Sequence, residues 1–211
     1  MLKRAFLALA LVASPAFADP PEEELTAAPG SIAYGMIEEA NAEGVFDIVH
    51  NGQVSVRHLA SGMRCDFDRD GDGGSIVLFP GLPRGEDVAC DYQYGTEFVT
   101  LYATRYPDGR SLDDVMQGAE AAIRDRFPGA TPAPATVIIG SEALPEQRTR
   151  HFIVESGGQR QFTSVAIAQA NGWTYKVRYT SLLDSGADMM QYQLRAGLEL
   201  TGVLLELEET R

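Results

Sequence analysis

The chain has 211 residues, and 30 Asp and Glu against 17 Lys and Arg give a net charge of −13 at pH 7. An acidic body repels phosphate backbones and anionic lipid surfaces, which excludes nucleic acid as a partner. The length allows one domain with a sizeable core and requires no second.

Lys3 and Arg4, an apolar run over residues 5–13, and Ser14-Pro15-Ala16-Phe17-Ala18 before Asp19 follow one another at the start. A basic region, a short apolar region and a small-x-small site predict a secretory signal peptide over residues 1–18. The run falls short of the about 20 apolar residues that a bilayer-spanning helix needs. No later stretch reaches that length either, so the protein is not expected to be membrane-embedded. Cleavage there removes two positive charges and leaves 193 residues carrying −15. No cysteine follows the cleavage site, so no lipid anchor is expected, and the predicted location is the periplasm.

Residues 19–30 hold Pro20, Pro21, Pro29 and Glu22-Glu23-Glu24, and read as a flexible acidic arm. Residues 31–211 read as a single α+β domain, an antiparallel β-sheet with amphipathic helices packed against it. Ser31 can cap a helix on which Ile32, Ala33, Met36, Ile37 and Ala40 recur at helical spacing. Asn51-Gly52 between two β-rich runs predicts a hairpin with a type I′ turn. Strands are expected over residues 75–79, 88–94 and 97–106, separated by Gly, Pro or Asp. Cys65 and Cys90 are the two cysteines of the chain, at strand edges or starts on this reading. In an exported protein such a pair predicts a structural disulfide, and Cys-x-x-Cys is absent.

Ser111-Leu112-Asp113-Asp114 resembles a capping box ahead of a helix with Leu112, Val115, Met116, Ala119, Ala122, Ile123 and Phe127 on one stripe. A short strand is expected over residues 136–139. Gly157-Gly158 and Asn171-Gly172 then join three runs into an antiparallel meander. The second turn pairs Ala170 with Trp173, Ala168 with Tyr175, Ala166 with Val177 and Ser164 with Tyr179. Small residues thus face large ones, which makes this face core. The other face, with Gln169, Thr174, Lys176 and Arg178, is expected to be at most partly covered. A last helix runs from about residue 187 to 205, with Met190, Leu194, Leu198 and Leu205 as its apolar stripe.

This order of elements, with Ala170-Asn171-Gly172-Trp173-Thr174-Tyr175 at the second meander turn, resembles the PsbP-like superfamily of extrinsic photosystem subunits and their bacterial and nuclear-transport relatives. The likeness covers about residues 97–205. It implies an antiparallel sheet with packed helices, and a binding or assembly-accessory role rather than catalysis; for an exported chain that role is expected in the cell envelope. It carries no functional residue across. Ser61-Gly62-Met63-Arg64-Cys65 is also similar to uncharacterised secreted bacterial proteins.

The site-like cluster is the loop 66–74. Asp66, Asp68, Asp70 and Gly71 match the first alternating positions of a calcium loop, and Asp72 extends the alternation. The bidentate acid due at the twelfth position is replaced by Val77. The loop is therefore read as a polar Gly-rich turn, with a low-affinity calcium or small-ligand module as the alternative. His50, His58 and His151 show no metal-helix spacing, and Gly-x-Ser-x-Gly is absent. No catalytic site and no cofactor are expected, and the partner is an unknown protein or envelope component. Phe98, Tyr102 and Tyr106 share a strand face in an aromatic cluster with Tyr92 and Tyr94. That face is expected under a helix, with a binding surface as the alternative.

Overall fold

The structure is a computed structural model describing residues 28–68, 73–135, 143–183 and 189–209. The predicted leader, most of the arm and the predicted strand over 136–139 lie outside these residues. In chain order the elements are α1 (Pro29–Glu39), β1 (Phe46–Ile48), β2 (Val54–His58), β3 (Arg64–Phe67), β4 (Ser75–Leu78), β5 (Asp87–Tyr94) and β6 (Glu97–Thr104). Then follow α2 (Leu112–Arg126), β7 (Thr131–Pro132), β8 (Gln147–Ser156), β9 (Gln159–Ala170), β10 (Trp173–Leu182) and α3 (Met189–Glu209). The first three strands form one sheet in the order β1-β2-β3, and the others form a seven-stranded sheet in the order β4-β5-β6-β10-β9-β8-β7. The ladders are antiparallel. The fold is the α+β single domain expected from the sequence.

The meander keeps its predicted register. Ala170 pairs with Trp173, Ala168 with Tyr175, Ala166 with Val177 and Ser164 with Tyr179. Both two-residue turns have positive φ at each position, 54° and 78° at Asn171-Gly172 and 59° and 76° at Gly157-Gly158. That backbone twists with the strands, so the turn alone fixes which residues meet. The β1–β2 hairpin also forms, but not through a type I′ turn. Ile48 pairs with Val56, where a two-residue Asn51-Gly52 turn would have brought it to Ser55. Asn51 instead uses its side chain, accepting from the Gln53 N–H at 3.0 Å and donating to Ser55 Oγ at 3.1 Å. An Asx turn of this kind competes with the backbone hairpin and widens the loop.

The helix beginning α1 starts two residues before the predicted cap, because Pro29 occupies the first turn, where its missing N–H is no loss. Pro29 and Gly30 thus belong to the helix, not the arm. The capping box of α2 is present: Ser111 Oγ accepts from the Asp114 N–H at 3.2 Å, and the Asp114 carboxylate accepts from the Ser111 N–H at 3.3 Å. Val115, Met116 and Ile123 on its stripe are buried. The stripe assigned to α3 faces the wrong way. Met190, Leu194, Leu198 and Leu205 are each between 45 % and 54 % exposed, while Ala196, Leu200, Val203, Leu204 and Leu207 fill the core. With leucines around most of the helix, periodicity could not choose a face.

The seven-stranded sheet has two unlike faces. Its inner face joins α1, α3 and the small sheet in the main core, with Cys90, Leu101, Tyr175, Val177, Tyr179 and Phe162 among its members. On the outer face, α2 packs on β8 and β9 over Phe152, Val154, Val165 and Ile167. Beyond β9, the outer side of β10, β6, β5 and β4 carries no helix among the described residues.

Candidate functional site

The predicted disulfide forms between Cys65 and Cys90. Both lie inside strands, β3 and β5, rather than at strand ends. The bond therefore ties the small sheet to the large one, and it removes both thiols from chemistry.

Of the loop aspartates, Asp70 and Asp72 lie outside the described residues. The Asp66 carboxylate is already engaged: Arg64 donates to it at 2.8 Å, Ser55 Oγ donates to it as well, and Arg64 also bridges to Glu206 at 2.6 Å. Asp68 is exposed. Asp66 thus spends its acceptor capacity on a hydroxyl and a guanidinium.

Two buried histidines each touch a serine. His58 Nδ1 lies 2.7 Å from Ser61 Oγ, and His151 Nδ1 lies 3.0 Å from Ser164 Oγ. Burial holds each imidazole down to about 4, aided at His151 by the neighbouring Arg150. The Gly85 backbone near His58 offsets this only in part, and Nε2 makes no hydrogen bond among the described residues. All four side chains are buried. His50 is exposed.

The aromatic cluster splits between the two faces. Tyr92 turns inward and donates to Glu199 Oε2 at 2.8 Å, and Tyr94 donates to the Asp66 carbonyl at 3.4 Å. Tyr106 lies past the end of β6 and packs at the edge of the α2 cluster. Phe98 and Tyr102 point to the outer face, and the expectation that a helix covers them is not met. Helix α2 is drawn instead to the larger apolar area offered by Phe152, Val154, Val165 and Ile167. Phe98 is left 47 % exposed.

Strand register builds a site on this open face. One row crosses Asp91, Thr100 and Arg178, and the next crosses Ala89, Tyr102 and Lys176. A third crosses Gln93, Phe98 and Thr180. Rings and cations interleave on these rows. Lys176 Nζ stands 3.9 Å from the Tyr102 ring centroid, and Phe79 stacks on Tyr102 at 6.0 Å. At the C-terminal end of α2, the Arg126 and Arg178 guanidinium carbons lie 5.4 and 5.9 Å from the Phe127 ring centroid. A cavity of about 570 Å³ opens here, lined by Phe79, Phe98, Tyr102, Arg126, Phe127 and Arg178 among others. Ligand sites commonly enclose roughly 300–1,000 Å³.

Lys176 and Arg178 are half-buried, and neither they nor Arg126 makes an ion pair among the described residues. Burial pulls the Lys176 ammonium and the Arg178 guanidinium below their usual values; the nearby Asp87 offsets this in part at Lys176, and Arg126 pushes Arg178 further down. The sequence placed Lys176 and Arg178 on the partly covered face. It gave no sign that Arg126, Phe127 and Phe79 converge there, because α2 and β4 reach them only through the fold.

No family model matches the chain, and no curated protein matches it. Solved structures similar to it include the following two. One is LpqN of Mycobacterium tuberculosis, involved in cell envelope biogenesis, with 12 % identity over 64 % of this chain and 83 % of that one and a TM-score of 0.33. The other is the Ran-binding protein Mog1p of Saccharomyces cerevisiae, with 9 % identity over 76 % of this chain and 91 % of that one and a TM-score of 0.37. Both scores are low, so no ligand, partner or activity passes from either protein to this chain, and the PsbP-like resemblance remains an expectation from element order.

Proposed function

We propose that this chain is an exported periplasmic binding protein without a catalytic centre, acting through the open outer face of its seven-stranded sheet. One observation carries the reading: an acidic protein keeps half-buried Arg178 and its neighbour Arg126 without an ion pair among the described residues, beside exposed Phe98 and further aromatic rings in a cavity. Such groups cost stability where they stand, and binding is the use that offsets the cost. Export is supported by the Cys65–Cys90 disulfide, which belongs to an oxidising compartment. The absence of catalysis is supported by the burial of both Ser–His pairs away from this face.

A photo-crosslinking residue at Phe98, with a control at exposed Tyr34 on α1, tests the reading in native periplasmic extract. Intact-mass analysis is expected to show adducts at position 98 and none at position 34. Adducts equally frequent at both positions, or absent at 98, would refute it.

A further inference from the structure

Resting on that reading of the open face, we infer that its ligand is a small amphiphilic organic anion. A single negative group is held between Arg178 and Arg126, and an apolar or aromatic body lies along Phe98, Tyr102 and Phe127. Charge sets the first half of this ligand. Arg178 and Arg126 line one cavity beside the Phe127 ring, and neither makes an ion pair among the described residues, although acids outnumber bases across the chain. A guanidinium offers paired N–H donors that match a carboxylate, phosphate or sulfonate, and such charge-assisted bonds are stronger than neutral ones.

Asp91 limits that charge. It lies on the same row as Arg178, one strand beyond Thr100, and would repel a second negative group placed further along the face. The acidic remainder of the molecule limits size as well. A polyanion or an anionic membrane would have to approach carboxylates outside the cavity, whereas a small molecule meets only the cavity. The rings set the other half. Phe98 is nearly half exposed, and Phe79, Tyr102 and Phe127 present further apolar surface in the same space. An inorganic anion would satisfy the cations and leave that surface wet.

The test uses the full chain with its disulfide intact and anilinonaphthalene sulfonate as a fluorescent aromatic anion. The dye is expected to bind the folded protein and to be displaced by decanoate, but not by decanol or inorganic phosphate. Arg178→Gln and Arg126→Gln are each expected to weaken decanoate binding by about tenfold or more. Arg178→Lys is expected to retain most of it. Unchanged melting temperatures in these variants separate loss of binding from loss of fold. Thr100→Trp fills the cavity floor and is expected to abolish binding.

Equal displacement by decanol, or unchanged decanoate affinity in Arg178→Gln, overturns the anionic ligand while leaving the face as a binding site. Displacement by inorganic phosphate alone overturns the apolar half of the proposal. Dye binding that Thr100→Trp leaves untouched places the ligand elsewhere and takes the reading of this face down with it.

Discussion

Gly74 sits where a β-carbon would run into the Phe67 ring, and Phe67 is itself buried. Because the ring has no free space to retreat into, Gly74→Ala is expected to lower stability by about 1–3 kcal/mol in urea denaturation. A loss within the noise of that measurement would mean that the ring yields. The two core histidines make a second prediction at this scale. Folding keeps His58 and His151 neutral down to about 4, against 6.5 in the unfolded chain. A depressed folded value means stability that is complete above pH 6.5 and lost as pH falls through the window towards 4. Each histidine is expected to contribute on the order of 1–3 kcal/mol to that loss. Melting temperatures between pH 7 and 4.5 are expected to fall less steeply in His151→Asn than in the parent. Parallel profiles would remove His151 from the account.

At the scale of elements, the β9–β10 hairpin and helix α3 make opposite cases. The hairpin was legible because two residues at positive φ fix its register, and the small-to-large matching then names the core face. Trp173 lies on that face, 5 % exposed and edge-on to the His58 ring. Trp173→Ala is expected to cost roughly 3–5 kcal/mol, read from the denaturation midpoint at constant m-value. A cost below about 1 kcal/mol would contradict the packing. Helix α3 was legible as a helix but not in its orientation. Leu194, Leu198 and Leu205 are as apolar as Leu200, Leu204 and Leu207, and which set is buried depends on Phe162 and Tyr179 beneath.

Across the whole molecule, the Cys65–Cys90 bond is a cross-link between the two sheets, added to the main chain that joins β3 to β4. It spans 25 residues, and closing such a loop in the unfolded chain stabilises the fold by about 3.5 kcal/mol on the chain-entropy account. The double variant Cys65→Ser, Cys90→Ser is expected to unfold at lower denaturant by about that amount. Protection of β1–β3 amides from hydrogen exchange is expected to fall further than that of β8–β10, since the small sheet has fewer strands to hold it. Uniform loss across both sheets would show that the bond stabilises the molecule only as a whole. The outer face belongs to this scale too: its cavity joins residues from β4, β5, β6, β10 and α2, and no single element contains it.

Local rules read along the chain were enough for the cysteine pairing, the capping box of α2, the meander with its register and the α+β class. Each rests on local rules: two cysteines allow one pair, a cap needs four neighbouring residues, and a two-residue turn transmits its geometry along both strands. Packing settles which side of α3 is buried, that Tyr92 and Tyr94 part from Phe98 and Tyr102, and that Arg126 and Phe127 come to stand beside Arg178. Those outcomes depend on which surfaces compete for the available apolar area. Helix α2 covers β8 and β9 and stops short of β10, and that limit leaves the cations of the outer face open.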